Sequence, residues 1–144
     1  MTQSAYTFIM KQEGPDVIIE GSGSINLAGL SFGRTGNYPE GFMAPSTGII
    51  LVKGASDFYS GVTGPSSFGP GGQILATNPM GAPVSVLPGG QLGVPQSYIS
   101  GGTGDTLSNG LTFAGATLAS LGVTPGTYVW TWASGSLTLF IVPS

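Results

Sequence analysis

Cysteine and histidine are both absent from this 144-residue chain. No disulfide framework can staple it, and the usual soft-metal ligands are missing. A chain of this length buries about 68–70% of its unfolded surface and needs neither to fold. The lack of cysteine suits the cytosol, a virion or the cell exterior alike, so it does not fix a compartment. Charge is the second deficit: charged residues make up 6% of the chain, against about 25% in an ordinary soluble domain. The three cations, Lys11, Arg34 and Lys53, stand alone in the sequence. They form no basic stripe to track a phosphate backbone, so nucleic acid is not an expected partner. No apolar run approaches the roughly 20 residues that span a bilayer, and an integral membrane protein is not expected. The first residues, Met1 to Tyr6, contain neither a basic nor a hydrophobic segment of the kind a signal peptide needs.

What the chain has in excess is glycine, with 26 residues, where a usage of about 7% would give roughly ten. A surface this poor in charge has few means of keeping other surfaces away. Two kinds of protein fit. One is a secreted β-protein coated with Ser, Thr, Gly and Asn; the other is a subunit whose surface is largely buried in an assembly.

Short extended segments alternate with turn residues. Ala5–Gln12 is apolar and β-branched enough for a strand, and Glu13-Gly14-Pro15-Asp16 reads as a turn into a return strand at Val17–Glu20. Ser24–Leu27 continues this meander. Residues 29–47 read as a loop, and 61–72 as a Gly-, Pro- and Ser-rich stretch ordered only by packing. Ile49–Val52, Ser56–Tyr59 and Leu111–Ala114 are further strands. Ile74–Thr77, Val84–Leu87 and Tyr98–Ser100 have proline at their borders, which suits sheet edges. Thr117–Gly122, with a Thr start and a Gly stop, fits one helical turn. Tyr128–Trp132 and Ser136–Val142 close the chain as a hairpin over Ala133-Ser134-Gly135. The expected fold is all-β: a single β-sandwich or jelly-roll-like domain over residues 1–144, with long Gly/Pro-rich loops.

Motifs that carry chemistry are weak. Gly29-Leu30-Ser31-Phe32-Gly33 matches a nucleophile elbow in letters, but the chain has no histidine to act as base and no helix after it. The six carboxylates are Glu13, Asp16, Glu20, Glu40, Asp57 and Asp105, and Glu13 and Asp16 lie three residues apart. They share a turn, where Asp bonds its own backbone. Gly101-Gly102-Thr103-Gly104 lacks the lysine and helix of a phosphate cradle. No EF-hand-like spacing appears, although oxygen ligands for calcium remain open. No catalytic residue, metal site or cofactor is expected.

The terminal hairpin is the most informative segment. In an extended strand Tyr128, Trp130 and Trp132 share one face, with Val129 and Thr131 on the other. The favoured reading is that these rings fill the sandwich core; the alternative is a platform for stacking sugar rings. On the next strand Leu137, Leu139 and Ile141 face the core, so Phe140 and Val142 point outward and need cover from a loop or another subunit. An uncharged, β-prone run of this kind is an aggregation hazard as a bare edge, so it is expected to be a central strand or a subunit contact.

The segment Leu121-Gly122-Val123-Thr124-Pro125-Gly126-Thr127-Tyr128-Val129-Trp130-Thr131-Trp132 resembles the closing part of secreted bacterial surface proteins with PEP-CTERM sorting tails. Residues 59–69 and Val94-Pro95-Gln96-Ser97-Tyr98 resemble the same group, and the resemblance spans roughly Tyr6 to Val142. It implies an exported surface or matrix protein with no catalytic residues to carry over. Members carry a signal peptide and a Val-Pro-Glu-Pro tail with a hydrophobic segment; this sequence ends Val142-Pro143-Ser144 without them, so exosortase sorting does not follow.

Two functions are therefore expected, ahead of any enzyme. The first is a non-catalytic structural protein at a virion surface, such as a capsid decoration or cement protein of a bacterial virus. It would contact copies of itself or a larger shell through Tyr128, Trp130, Trp132, Phe140 and Val142. The second is a secreted cell-surface or matrix module that binds polysaccharide through Trp130 and Trp132.

Overall fold

The computed structural model describes residues 4–96, 98 and 106–143. They form an all-β sandwich of two packed sheets. The strands are β1 (Ser4–Glu13), β2 (Asp16–Gly23), β3 (Ser31–Tyr38), β4 (Phe42–Ala44), β5 (Ile49–Leu51), β6 (Gly54–Ser60), β7 (Ile74–Leu75), β8 (Met80–Gly81), β9 (Ser85–Leu87), β10 (Gln91–Pro95), β11 (Leu107–Phe113), β12 (Gly126–Trp132) and β13 (Gly135–Ile141). The first sheet runs β12-β13-β1-β2-β11-β8, and the second β3-β6-β10-β9-β5-β4-β7. All pairings are antiparallel except β1 with β13, which run parallel.

Alternation sets which side of each strand is buried. Tyr6, Phe8 and Met10 of β1, Val17 and Ile19 of β2, and Leu137, Leu139 and Ile141 of β13 point into the core. There they meet Met43, Ile50, Val86, Leu92 and Val94 from the second sheet. The first hairpin closes at Gly14 and Pro15, with Gly14 at a φ of 58° where glycine carries no steric cost. The Gln12 side-chain amide donates to the carbonyls of Asp16 and Ala116, each at 2.9 Å, and Asp16 Oδ1 accepts from the Gly115 N–H at 3.0 Å. Glu13 and Asp16 thus belong to a structural turn.

The α-helical turn α1 (Leu118–Leu121) starts and stops where the sequence indicates. Thr117 Oγ1 accepts from the Ser120 N–H, Ser120 Oγ accepts from the Thr117 N–H, and Gly122 caps the end in the left-handed conformation.

Several expectations are corrected. Ser24–Leu27 is irregular rather than a strand, because Asn26 binds its surroundings through side-chain bonds instead of a ladder. Its N–H donates to Ser4 Oγ at 2.8 Å and its Oδ1 accepts from the Ala28 N–H at 3.0 Å. Residues 29–47 are not one loop: they hold β3, β4 and a 3-10 turn at Pro45–Thr47. β3 is an exposed edge strand with no alternating apolar pattern, so its partner β6 defines it. Its Arg34 lies over the Phe58 ring, 4.3 Å from the centroid, and donates to the Tyr38 hydroxyl at 2.9 Å. β9 is interior, between β10 and β5, since Pro83 and Pro88 flank its paired residues without interrupting them. β10 was not expected at all; Gly93 and Pro95 hide the alternation of its buried Leu92 and Val94. The strand expected at Tyr98–Ser100 lies outside the described residues apart from Tyr98, as do Gly101–Gly104 and Asp105. Tyr98 itself accepts the Ile25 N–H at its hydroxyl.

One core group is poorly matched to its setting. Tyr6 is fully buried, edge-on to Phe8 at 5.3 Å between centroids, and its hydroxyl has no hydrogen-bond partner among the described residues. Burial pushes its pKa well above the ordinary tyrosine value, because the phenolate would be desolvated. Removing an unsatisfied buried hydroxyl relieves a cost of about 1–3 kcal/mol. Tyr6→Phe should therefore leave stability unchanged or raise it by about 1 kcal/mol in urea unfolding. A folded-state pKa above the unfolded one means the folded protein holds the proton longer, so stability is complete below about pH 10 and falls as pH rises past it. The fall should approach about 1.4 kcal/mol per pH unit, and be smaller in Tyr6→Phe. A strongly destabilised Tyr6→Phe would contradict this assignment.

Candidate functional site

The terminal hairpin separates into a buried side and an open side. On the buried side Trp130 and Trp132 are 4% and 8% exposed, and each indole N–H is bonded to a loop carbonyl. Trp130 Nε1 donates to Pro65 O at 3.1 Å, and Trp132 Nε1 to Asn26 O at 2.8 Å. Ser134 Oγ in the hairpin turn also meets Asn26 O at 2.7 Å and Ala28 O at 2.6 Å. Two irregular segments are thereby tied to one hairpin, which explains how glycine-rich chain becomes ordered. Gly64 passes so close to Trp130 that a β-carbon there would lie 2.5 Å from the indole Cδ1 and 2.8 Å from the Trp130 Cα. Tyr128 is half-buried, edge-on to Phe68 at 6.2 Å, and its hydroxyl donates to Thr124 O at 2.8 Å.

These rings therefore work as core and anchors. A sugar platform on Trp130 and Trp132 has no open ring face to use in this arrangement, since loop 61–72 and the Asn26 segment cover them.

The open side is the outer face of the first sheet. β13 is a central strand, flanked by β12 and β1. Phe140 and Val142 point away from the core and are 41% and 42% exposed. Phe140 is paired with Ile9 on β1 and Thr127 on β12. Ile9 and, on β12, Val129 are exposed to a similar degree, which the sequence reading did not single out. The period-2 alternation of β1 would have shown Ile9 to be outward, opposite Tyr6, Phe8 and Met10. Between Pro125, Thr127, Phe140, Val142 and Pro143 lies a shallow groove of about 310 Å³. Lys11 and Glu20, 3.8 Å apart, form an ion pair on this face, and both are substantially exposed. An exposed pair like this contributes little to stability.

Ser31 of the Gly29–Gly33 motif lies at the start of β3, not at a strand-to-helix turn. Among the described residues no three acidic side chains cluster around a cation-sized space. Among the described residues no helix is long and apolar enough to cross a membrane. No protein-family profile, curated protein sequence or solved structure matches this chain.

Trp→Ala changes at buried positions cost about 3–5 kcal/mol, a large part of the roughly 5–15 kcal/mol that holds a domain together. Trp130→Ala and Trp132→Ala should each lower the urea midpoint sharply. Gly64→Ala should do the same to a smaller extent, by driving the 61–72 segment off Trp130. Midpoints equal to the parent's would mean the hairpin is not an anchor.

Proposed function

We propose that this chain is a non-catalytic structural protein that attaches to a larger protein assembly through the outer face of its first sheet. The observation that carries the reading is the row of Ile9, Phe140 and Val142, with Val129 beside it. These are apolar side chains about two-fifths exposed on a face with a single ion pair. An ordinary sheet face turned to water alternates apolar-in with polar-out; here the outward positions are partly apolar, and among the described residues its charges, Lys11, Glu13, Asp16 and Glu20, lie on β1 and β2. Contiguous exposed apolar surface marks contact sites, and charged residues are depleted at the centre of interfaces. The low charge of the whole chain, 6%, fits a subunit that rests against neighbours.

The assembly we assign is a virion surface, with the chain as a decoration or cement subunit. A second reading, an exported cell-surface or matrix layer, draws on the resemblance of the Leu121–Trp132 segment to secreted surface proteins. Both readings use the same sheet face and differ in where the protein is found.

Fractionating the producing culture separates them. The protein should sediment with virus particles, and envelope or matrix fractions should contain it only under the second reading. Burying a large apolar side chain is worth about 1.5–3 kcal/mol, so Ile9→Lys or Phe140→Lys should weaken particle attachment by about tenfold or more. Neither change should alter the melting temperature much, because both side chains point out of the core. Protein that stays free in every fraction, or lysine variants that attach as well as the parent, would overturn the proposal.

A further inference from the structure

Two of the chain's three cations, Arg34 and Lys53, have no carboxylate partner among the described residues, where the ion pair joins Lys11 to Glu20. Arg34 lies on the outer face of the second sheet, the side of the sandwich away from Ile9 and Phe140. Phe58, which it covers, stands outside the core cluster, whereas the neighbouring Tyr59 packs against that cluster.

The fold holds this arginine in place. Its guanidinium carbon sits 4.3 Å from the Phe58 centroid, and Nη2 donates to the Tyr38 hydroxyl at 2.9 Å. Tyr38 stands edge-on to Phe58, 5.7 Å between centroids. Two glycines clear the space. A β-carbon on Gly36 would lie 2.9 Å from Arg34 Nη1 and 3.3 Å from the Phe58 ring, and one on Gly93 2.8 Å from that ring. Asp57, next to Phe58, does not neutralise the cation: it points to the other face and accepts from the Thr35 hydroxyl at 2.7 Å. The bond to Tyr38 engages one of five guanidinium N–H groups, and the others have no partner among the described residues. Tyr38 also borders an open groove of about 480 Å³, with Asn37, Pro39, Lys53 and Gly54 as the other walls. Glu40 is exposed and lies outside this lining.

We propose that this corner of the second sheet binds the carboxylate-bearing sugar units of an acidic polysaccharide. Arg34 takes a carboxylate through its unused N–H groups, the two-pronged contact for which the guanidinium fork is suited. Its place over Phe58 is set before the ligand arrives, so little side-chain freedom is lost on binding. The Tyr38 oxygen accepts from Arg34 and its O–H remains to donate to the sugar. Asn37 adds an amide to the groove, and Tyr38 and Pro39 add apolar surface for the C–H faces of a sugar ring. Lys53 brings a second positive charge to the same groove for a further carboxylate along the polymer. Charge and shape together select this ligand. A neutral sugar leaves both cations unmatched, and an acidic peptide has no sugar ring to lay against Pro39 and Tyr38. The site does not rest on the attachment reading of the first sheet: the two faces are on opposite sides, so both can be occupied at once.

Titration calorimetry of the purified chain with alginate oligosaccharides tests it, with dextran oligosaccharides and poly-glutamate as controls. Binding of alginate alone is expected, and it should weaken as salt screens the two cations. Arg34→Gln should lower the affinity by about tenfold or more, and Lys53→Gln by a smaller factor. The melting temperature controls for folding. Lys53 is exposed, so its variant keeps the test open even if Arg34→Gln unfolds the sheet edge. No binding of alginate, equal binding of dextran, or a preference for poly-glutamate would overturn the proposal. So would alginate affinity unchanged in every folded variant. Ile9→Lys should bind alginate as the parent does while losing particle attachment, so failure of this site and failure of the proposed function are read separately.

Discussion

Strand β13 lies between β12 and β1, paired antiparallel with one and parallel with the other, and most of the sandwich hangs on that insertion. The antiparallel side is local, set by the Ala133-Ser134 turn. The parallel side joins Ser4–Met10 to Gly135–Ile141, the two ends of the chain. No turn fixes that register. It is fixed by burial: Tyr6, Phe8 and Met10 lie beside Leu137, Leu139 and Ile141, all on the core side. A one-residue slip would carry all of β13's core residues to the outer face. Contacts this distant in sequence form late and slowly, because loop closure costs entropy before they repay it.

The same insertion explains how a chain with so much glycine keeps defined loops. Once the hairpin is seated, Trp130 and Trp132 present their indole N–H groups at fixed places, and the Pro65 and Asn26 carbonyls bind there. A buried indole N–H left unpaired is costly, so each bond is a strong constraint on the loop that satisfies it. Order passes from strand to loop through side-chain donors, where a helix-rich protein would use packing of its own elements.

How far the sequence disclosed this depends on the residue. The first hairpin, the terminal hairpin and the capped turn at Thr117–Gly122 were legible, because their alternation, turn residues and caps are local. Placing Phe140 and Val142 outward followed from the same alternation. β3 was not legible: Ser31–Tyr38 is exposed nearly throughout, so it has no buried face to leave a pattern, and its strand character comes from β6. β10 was hidden because Gly93 and Pro95 read as breakers, although Gly93 is needed where Phe58 packs. The outer apolar row was half legible. Phe140 and Val142 were evident from their own strand, but Ile9 and Val129 join them only through sheet order, and no local pattern predicts that a last strand will lie beside a first one.

Native-state hydrogen exchange measures that central constraint most directly, since it reports the free energy at which each amide opens. If β13 is the insertion on which the sandwich depends, the ladder amides it shares with β1, at Leu137 to Ile141 and Tyr6 to Met10, should exchange only through global unfolding, at one common free energy. Exchange of the β12–β13 hairpin at a clearly lower free energy, with β1, β2 and β11 still protected, would show that the fold stands without it and would contradict the account.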